Sequence, residues 1–560
     1  MTNLTSIIAN AAMRLAMAST RRKELRTFID ATRRPMTHQL DLLRCILAKN
    51  AATNFGRRHN FSGIQGLEAY RRHVPVLTYQ ALRPYIERQR LTGEPCLTRE
   101  MPVIYARTSG TTGDQKYIPV TGSGLARLKA SQRLFALAQY QGSGFYRGKI
   151  LALASPAVEG RFENGLPYGS ATGSIYRTMP RPIRSKYVVP APLFEVEDYE
   201  AKYYAIAALA LQEGGITGLA AANPSTFLKL LDVIRTNWDQ LLDDLASGQS
   251  TVTSRMTAEQ SNAFTRRFGA NPVRARGLSA LAEEVNSLTF AKIWPRLEGV
   301  VTWTGGSCGF ALTALAEQWT ANTKIIEAGY LSSEFWGTIN LDVAQGLCVP
   351  TIMDTFFEFV ERSNWESGRA VFLTLDQVKQ GREYYIFVTT PDGLFRYDMN
   401  DIVEVTGRIN ATPTLAFVQK GTGVTNITGE KLCESQVTLA VNRAQRRGEL
   451  RISFFVALAD EERAEYQLFV EPLRHHVLEA ETIAKQVDRS LRELNLEYSE
   501  KRASGRLKPL RATWVKPGTG ELYRKGCVAQ GQRDAQFKCL QLQYKRECSF
   551  DFTRHWLAAT

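Results

Sequence analysis

The segment YARTSGTTGDQKYIPVT, residues 105–121, combines a run of small hydroxyl and glycine residues with a lysine near its middle. Three threonines, one serine and two glycines lie between Thr108 and Gly113, and Lys116 follows. Backbone N–H groups and hydroxyls in such a loop can surround phosphate oxygens, because no bulky side chain blocks their approach. The spacing differs from a Walker A loop, in which the last glycine directly precedes the lysine. By itself, the segment is equally compatible with an exposed turn.

Length and charge limit the classes of protein that the chain can represent. With 560 residues it exceeds the size of one hydrophobic core, so we expect at least two domains. Its net charge of +15 is scattered in short doublets, without a basic stripe interleaved with aromatic residues. This pattern favours small anionic substrates, and we expect no nucleic-acid partner.

The cellular setting can also be predicted. Apolar runs such as residues 204–211 are far shorter than the about 20 residues that span a bilayer, so we expect no membrane partner. The eight cysteines show no CxxC pair and no zinc spacing, which indicates reduced thiols. Residues 1–24 lack an acid before Glu24, a feature of transit peptides, but a surface helix of the folded domain is favoured. The prediction is a soluble, cytoplasmic protein.

The order of elements predicts an α/β fold. From about residue 149 onward, short apolar strands alternate with amphipathic helices, which is typical of mixed β-sheets covered by helices. The clearest strands are KILALASP, GVVTWTGG, TKIIEAGY and REYYIFVTT. A glycine- and threonine-rich segment, residues 421–437, precedes three more strands and one helix. We therefore predict a large N-terminal domain, residues 1–430, a hinge, residues 431–438, and a small mobile α+β domain, residues 439–560.

Three segments resemble the motifs of adenylate-forming enzymes, in the same order. The first resembles the phosphate loop [ST]-S-G-[ST]-T-G-x-x-K. GYLSSE, residues 329–334, resembles the motif whose glutamate binds magnesium, and FRYDMNDIVEVTG, residues 395–407, the motif whose aspartate holds the ribose hydroxyls. The positions that match the phosphate loop are Thr108, Ser109, Gly110, Thr111, Thr112, Gly113 and Lys116.

Within that superfamily, the chain is most similar to the Gretchen Hagen family of acyl-acid amido synthetases, known from plant hormone conjugation and present in bacteria. The similarity runs nearly end to end through TNFGRRHNFSGI, ANPSTFLKLL, TGGSCG, FFEFVE, ITGEKLCESQV and GQRDAQFK. We expect a bacterial member with the large adenylate-forming domain and small C-terminal domain of this family.

The resemblance implies a ligase with two steps. A carboxylic acid attacks the α-phosphorus of ATP and gives an acyl-adenylate and pyrophosphate. An amine, usually that of an amino acid, then attacks the acyl carbon and expels AMP. Positioned cations and hydrogen-bond donors should carry most of the catalysis, because charge develops on phosphate. ATP, Mg²⁺, a carboxylic acid and an amino acid or other amine are the implied ligands, and the family leans towards a monomer.

The resemblance also assigns roles to residues. Glu334 would hold Mg²⁺, a hard cation that prefers carboxylate and phosphate oxygens. Asp401 would bind ribose, since a carboxylate can accept two hydroxyl hydrogen bonds. Taken singly, each has a structural alternative as a surface carboxylate or a turn residue. The other residues expected at the nucleotide or the acyl group, beyond the phosphate loop, are Gly305, Gly306, Ser307, Tyr330, Ser332, Ser333, Lys420, Lys431 in the hinge and Lys538 from the small domain.

Glu358 is a carboxylate within the apolar segment FFEFVE, which is costly unless the charge has a partner or a task. It could handle the incoming amine as a catalytic residue. The alternative, an ion pair with Arg396, is slightly favoured.

Two departures from the family pattern leave other functions open. The third motif has Asp398 and Asn400 where family members commonly have arginine and glycine, which puts the local turn in doubt. Lys420 replaces an arginine and cannot make a forked contact. A ligase that forms a thioester with coenzyme A or a carrier protein, or a non-catalytic ATP-binding scaffold, therefore remains an alternative to the amide-forming enzyme.

Overall fold

The computed structural model describes residues 2–108, 116–281, 285–306, 308–421, 423–428, 430, 432–447, 451–473, 479–530, 537 and 539–557. Ser109, Gly110, Thr111, Thr112, Gly113, Ser307, Lys431 and Lys538 lie outside these ranges. Within them, none of the helices has both the length and the apolarity needed to cross a membrane.

The strands, in chain order, are β1 (Pro102–Thr108), β2 (Lys116–Thr121), β3 (Lys149–Leu153), β4 (Gly160–Arg161), β5 (Pro167–Gly169), β6 (Ile216–Ala221), β7 (Gly299–Thr302), β8 (Lys324–Glu327), β9 (Thr338–Asp342), β10 (Leu347–Pro350), β11 (Phe356–Glu361), β12 (Glu383–Thr389), β13 (Tyr397–Ile409), β14 (Thr412–Lys420), β15 (Val424–Thr425), β16 (Leu432–Cys433), β17 (Ile452–Asp460), β18 (Glu465–Pro472), β19 (Arg511–Trp514) and β20 (Leu542–Tyr544).

The α-helices are α1 (Thr2–Thr20), α2 (Arg26–Arg33), α3 (Pro35–Asn50), α4 (Asn54–Arg58), α5 (Leu67–His73), α6 (Tyr79–Thr92), α7 (Gly122–Gly142), α8 (Ala171–Arg177), α9 (Arg181–Arg184), α10 (Tyr199–Gln212), α11 (Ser225–Thr236), α12 (Trp238–Ser247), α13 (Ala258–Thr265), α14 (Pro272–Ser279), α15 (Phe290–Ile293), α16 (Cys308–Leu315), α17 (Arg362–Glu366), α18 (Glu434–Arg447), α19 (Ala480–Leu494), α20 (Leu496–Ala503) and α21 (Thr519–Ala529).

A parallel sheet of order β3-β6-β7-β8 lies at the centre of the large domain. Its inner strands are almost wholly buried, as expected when helices cover both faces. All four strands point the same way, so their carboxyl ends open at one edge, where ligands bind in sheets of this type. This sheet confirms the strands predicted from KILALASP, GVVTWTGG and TKIIEAGY.

Antiparallel sheets surround the parallel one. Strands β11-β12-β13-β14 form one sheet, and the phosphate-loop strands β1 and β2 pair antiparallel in another, of order β2-β1-β5-β4. One hydrophobic cluster extends through these sheets and the N-terminal helices, from Met13 to Leu415. The predicted α/β class with mixed sheets under helices is therefore confirmed.

The C-terminal part has a sheet and core of its own. Its sheet has the order β19-β18-β17-β20, and a separate cluster of buried residues begins at Leu432 and ends at Leu542. Helix α18 starts at Glu434, inside the segment predicted as the hinge. The boundaries at residues 430 and 439 stay predictions.

Charged and aromatic side chains join the C-terminal part to the large domain. The Arg524 guanidinium donates to the Tyr199 hydroxyl over 2.7 Å and lies above its ring, 5.0 Å from the centroid. Beside it, the Lys229 ammonium lies 3.4 Å from the Glu521 carboxylate. Helix α21 is thus held against α10 and α11 in this arrangement.

The ion pair predicted between Glu358 and Arg396 is present and includes a second arginine. Glu358 is 1% exposed, and it accepts hydrogen bonds of 2.9 Å from the Nε atoms of both Arg71 and Arg396. The pair joins helix α5 to strand β11. Since both carboxylate oxygens are bonded to arginines, we interpret Glu358 as a structural residue rather than one that handles the amine.

Removing this carboxylate should destabilise the large domain strongly. Glu358→Ala leaves two arginines without their buried partner, and we expect a loss of about 3 kcal/mol in the free energy of unfolding. Differential scanning calorimetry measures it as a lower thermal midpoint. Glu87→Ala is the matched control, because Glu87 pairs with Arg83 on an exposed helix surface and should contribute less than about 0.5 kcal/mol. Equal midpoints for the two variants would contradict the structural role.

Candidate active site

Two cavities lie at the carboxyl ends of the parallel strands. The first, of about 340 Å³, borders Gly305 and Glu327 after β7 and at the end of β8, and extends to Tyr330 and Phe417. We call it the outer cavity. The second, of about 210 Å³, contains six aromatic side chains, and we call it the aromatic cavity. Leu331 borders both, so two ligands bound in them would meet at that residue. The aromatic residues are Phe135, Phe145, Tyr146, Tyr176, Tyr187 and Trp336.

Tyr330 connects the second motif to the third. Its hydroxyl donates a hydrogen bond of 2.6 Å to Oδ2 of Asp401, and its ring stacks on Phe417 with centroids 5.8 Å apart. Burial and the neighbouring Asp401 carboxylate raise the pKa of Tyr330 well above its usual range, so the hydroxyl stays a donor. This bond fixes the turn after β8 against strand β13.

The other oxygen of Asp401 has no hydrogen-bond donor among the described residues. Oδ1 is buried and accepts no hydrogen bond from the residues that the structure describes, although the Lys420 ammonium lies 3.5 Å away. The Asp401 carboxylate raises the pKa of Lys420, which therefore stays charged. A buried acceptor without a donor is costly, and a hydroxyl group of a ligand would satisfy it. The site thus fits the ribose hydroxyls expected there.

The third motif forms a turn at the two positions that depart from the family pattern. Asn400 has φ of 49°, a left-handed conformation that asparagine tolerates better than other non-glycine residues. Its N–H donates to Oδ1 of Asp398 over 2.7 Å. Strand β13 bulges here. Tyr385 of β12 pairs with Ile402, and Phe387 pairs with Asp398, so a step of two residues in β12 corresponds to a step of four residues in β13. Asp398 and Asn400 therefore lie in a bulge that directly precedes Asp401.

The second motif also contacts the start of the phosphate loop. The Ser333 hydroxyl lies 3.4 Å from the carbonyl oxygen of Arg107, one residue before Thr108 at the end of β1. Across the loop, Lys116 pairs with Thr108 in the sheet. Both ends of the loop between β1 and β2 therefore lie near the second motif.

Two charged side chains at this junction have no charged partner. Glu334 and Lys116 form no hydrogen bond or ion pair within the described part of the chain, although the Lys116 ammonium lies 5.7 Å from the centre of the Tyr79 ring. Glu334 is near enough to raise the pKa of Tyr397, after the larger effect of burial. A carboxylate without a partner beside a phosphate loop fits the ligand set of Mg²⁺.

The glycines after β7 are required by a neighbouring strand. A Cβ atom on Gly305 would lie 2.7 Å from the carbonyl oxygen of Phe417, and Gly306 has φ of 60°. The sequence suggested a close approach of a ligand, but the structure shows a close approach of strand β14. Gly305 still borders the outer cavity, and Gly306 a neighbouring one.

The structure thus brings most of the described candidates to one edge of the parallel sheet. Ser332 holds the turn through hydrogen bonds with the backbone of Phe335. Glu358 is the exception, since its partners are Arg71 and Arg396. The candidates at this edge are Lys116, Gly305, Gly306, Tyr330, Ser332, Ser333, Glu334, Asp401 and Lys420.

Sequence reasoning missed Glu327, at the end of β8. Its carboxylate accepts hydrogen bonds of 2.7 Å from the backbone N–H groups of Thr304 and Gly329. It therefore joins the loops that follow β7 and β8. A carboxylate in the apolar segment TKIIEAGY, directly before the second motif, was the available signal.

Models of one known protein family match most of the chain. Models of the GH3 family N-terminal domain, central domain and C-terminal domain match residues 24–325, 348–420 and 435–547. The chain belongs to the GH3 family. The predicted family, its α/β fold and the class of amide-forming ligase are confirmed, whereas a bacterial source stays a prediction.

Relatives of this GH3 family chain are amido synthetases. It is 27% identical to indole-3-acetic acid-amido synthetase GH3.8 of Oryza sativa subsp. indica over 551 residues, 92% of this chain and 88% of the relative. It is 25% identical to GH3.3 of Arabidopsis thaliana, covering 75% and 73%. The solved structure of GH3.15 acyl acid amido synthetase matches with a TM-score of 0.84 at 23% identity, covering 95% and 96% of the two chains.

The bulge in the third motif leads to a prediction about Asn400. Asn400→Val places a β-branched side chain in the left-handed region and should cost about 1–2 kcal/mol of stability. Asn400→Gly relieves that backbone constraint and should keep the thermal midpoint near that of the parent protein. Calorimetry on the two variants compares them directly, and an equal loss in both would contradict a role for the left-handed backbone.

Proposed function

We propose that this chain joins a carboxylic acid to the amine of an amino acid through an acyl-adenylate formed from ATP. The observation that carries the proposal is the position of Leu331, which borders both cavities at the carboxyl ends of the parallel strands. ATP in the outer cavity and the acid in the aromatic cavity would bring the carboxylate against the α-phosphorus. Such positioning converts an encounter of two molecules into a step within one complex.

The outer cavity suits a nucleoside. Tyr330 and Phe417 offer stacked aromatic rings at its wall, and Oδ1 of Asp401 offers an acceptor for a ribose hydroxyl. Lys420 would place a positive charge beside that carboxylate. Gly305, Gly306 and Ser307 would border the adenine.

The polyphosphate would lie against the loop between β1 and β2. Hydroxyls and N–H groups from Thr108 to Gly113 would donate to its oxygens, and Lys116 would offset their charge. Glu334, with Ser332 and Ser333 shaping its turn, would hold Mg²⁺, which neutralises charge on the phosphates when bound. Lys431 and Lys538 would add positive charge near the acyl phosphate, from the hinge and from the small domain.

The proposal includes the oligomeric state and the cellular compartment. We expect a monomer in the cytoplasm, where all eight cysteines would remain thiols, and all eight are free in the structure. GH3.8 and GH3.3 are named as indole-3-acetic acid-amido synthetases, while the acid used by this chain is left to the assay.

The reaction is tested by product analysis. Pyrophosphate and AMP are measured after incubation with ATP, Mg²⁺ and aryl, indolyl or fatty acids, with and without pooled amino acids, and products are weighed by mass spectrometry. An acid-dependent release of pyrophosphate, with an amide mass that needs the amino acids, is expected. Release of AMP that requires coenzyme A would replace the proposal with a thioester ligase, and ATP binding without turnover would indicate a non-catalytic scaffold.

Asp401 should contribute mainly to ATP binding. Asp401→Ala removes the acceptor for the ribose and should raise the KM for ATP by about tenfold or more. Initial rates of pyrophosphate release over a series of ATP concentrations measure it. Asp243→Ala, on the exposed side of α12, is the matched control and should not change the KM. An unchanged KM in Asp401→Ala would contradict the assignment.

A further inference from the structure

The aromatic cavity has an inner end that lies far from the reaction point. The Lys324 ammonium, at the start of β8, donates to the carbonyl of Gly142, the last residue of α7, over 2.9 Å. Helix α7 therefore ends at the amino ends of the strands, whereas Leu331 lies beyond their carboxyl ends. Residues near the end of α7 border the inner end of the cavity, and Leu331 borders its mouth.

One face of α7 lines the cavity. Gln132, Phe135, Ala136 and Gln139 have the spacing of neighbours on one side of a helix, and all four border the cavity. Gln139 is the one nearest the end of the helix. It therefore lies at the inner end.

Gln139 is buried without a partner. Its side chain is 4% exposed and forms no hydrogen bond with any residue that the structure describes. An amide of this kind costs about 1–3 kcal/mol if nothing satisfies it. Since the side chain borders a cavity, a ligand can supply the missing donor or acceptor.

Two tyrosines add to the polarity of this end. Tyr146 and Tyr187 are both buried, and both border the cavity. Burial raises the pKa of Tyr187 to about 12, so this hydroxyl is neutral at ordinary pH. The isolated bridge between Tyr187 and Ile150 places it beside the start of β3, at the same end of the sheet as Gln139.

The described lining of the cavity contains no Lys, Arg, Asp or Glu. A second charged group on the acid would therefore be desolvated without a counter-charge, which is costly. A neutral polar group would instead find the amide of Gln139. Apolar residues such as Phe135, Ala152 and Trp336 also form part of the lining.

We infer that Gln139 determines the specificity for the acid, and that the substrate is a compact monocarboxylic acid with an apolar body and a neutral hydrogen-bonding group remote from the carboxylate. A hydroxyl, a ring N–H or a carbonyl meets this description. The inference rests on the proposed function for the identity of the ligand. A cavity with a buried polar group discriminates strongly against an analogue that lacks the matching group, because the amide is then left unpaired.

Pairs of acids of similar shape test this inference by calorimetry, with and without α,β-methylene-ATP and Mg²⁺. The pairs are 4-hydroxyphenylacetate with 4-methylphenylacetate, indole-3-acetate with benzothiophene-3-acetate, and 4-acetylphenylacetate with 4-isopropylphenylacetate. In at least one pair, the polar acid should bind about tenfold more tightly or better. Equal or tighter binding of the apolar acid in every pair would overturn the inference, as would no binding by any of them.

Variants of Gln139 assign the preference to that residue. Gln139→Leu should abolish it by weakening the polar acid alone, and Gln139→Asn, which keeps the amide on a shorter chain, should retain part of it. Gln65→Leu is the matched control, because Gln65 is exposed, and it should change neither affinity. An equal loss for both acids in Gln139→Leu would indicate a purely structural residue and overturn the assignment.

Pyrophosphate release from the same acids with ATP separates the two proposals. A binding preference that depends on Gln139, without pyrophosphate release, would support the polar inner end and contradict the proposed function. Pyrophosphate release without such a preference would contradict the inference alone.

Discussion

The hydrogen bond from the Tyr330 hydroxyl to the Asp401 carboxylate joins two sheets whose described strands do not pair with each other. Tyr330 follows the parallel strand β8, and Asp401 belongs to the antiparallel strand β13. Burial makes the bond strong, since neither group can exchange its partner for water. It fixes the turn that carries Glu334, and it leaves Oδ1 of Asp401 without a hydrogen-bond donor among the described residues. The rest of the site is arranged around this contact.

The parallel sheet supplies the second constraint. Its strands end at one edge, so the outer and aromatic cavities open side by side and share Leu331. Glu327 holds the two loops at that edge in place through their backbone N–H groups. A carboxylic acid in one cavity and a nucleotide in the other can therefore come into contact at Leu331. The chemistry that we propose needs this arrangement more than it needs any reactive side chain.

Much of this could be predicted from the sequence, because motifs and strands are local patterns. The apolar runs predicted β3, β7 and β8, and the motif residues Tyr330 and Asp401 do meet. The apolar residues of segment 225–247 recur at helical spacing and predict a single helix, but the structure has two helices divided at Asn237, where the backbone leaves the helical region. Periodicity continued across that residue and gave no sign of the break.

What the sequence could not provide are contacts between distant residues. In the sequence, Asn400 is only a replacement for the glycine of the family pattern. Its left-handed backbone and its hydrogen bond to Asp398 are visible only in the structure. The second arginine on Glu358 comes from α5, 287 residues away in the chain. No pattern in the sequence indicated Gln139, because an unpaired amide can be recognised only when its surroundings are known.

The central claim is that the carboxylate of the acid attacks the α-phosphorus of ATP where the two cavities meet. Its most direct test uses an acid that the protein turns over, labelled with ¹⁸O in both carboxylate oxygens, with AMP analysed by mass spectrometry. One labelled oxygen in AMP for each amide formed is the predicted result. Unlabelled AMP, or label that appears in inorganic phosphate with ADP as the nucleotide product, would contradict the account.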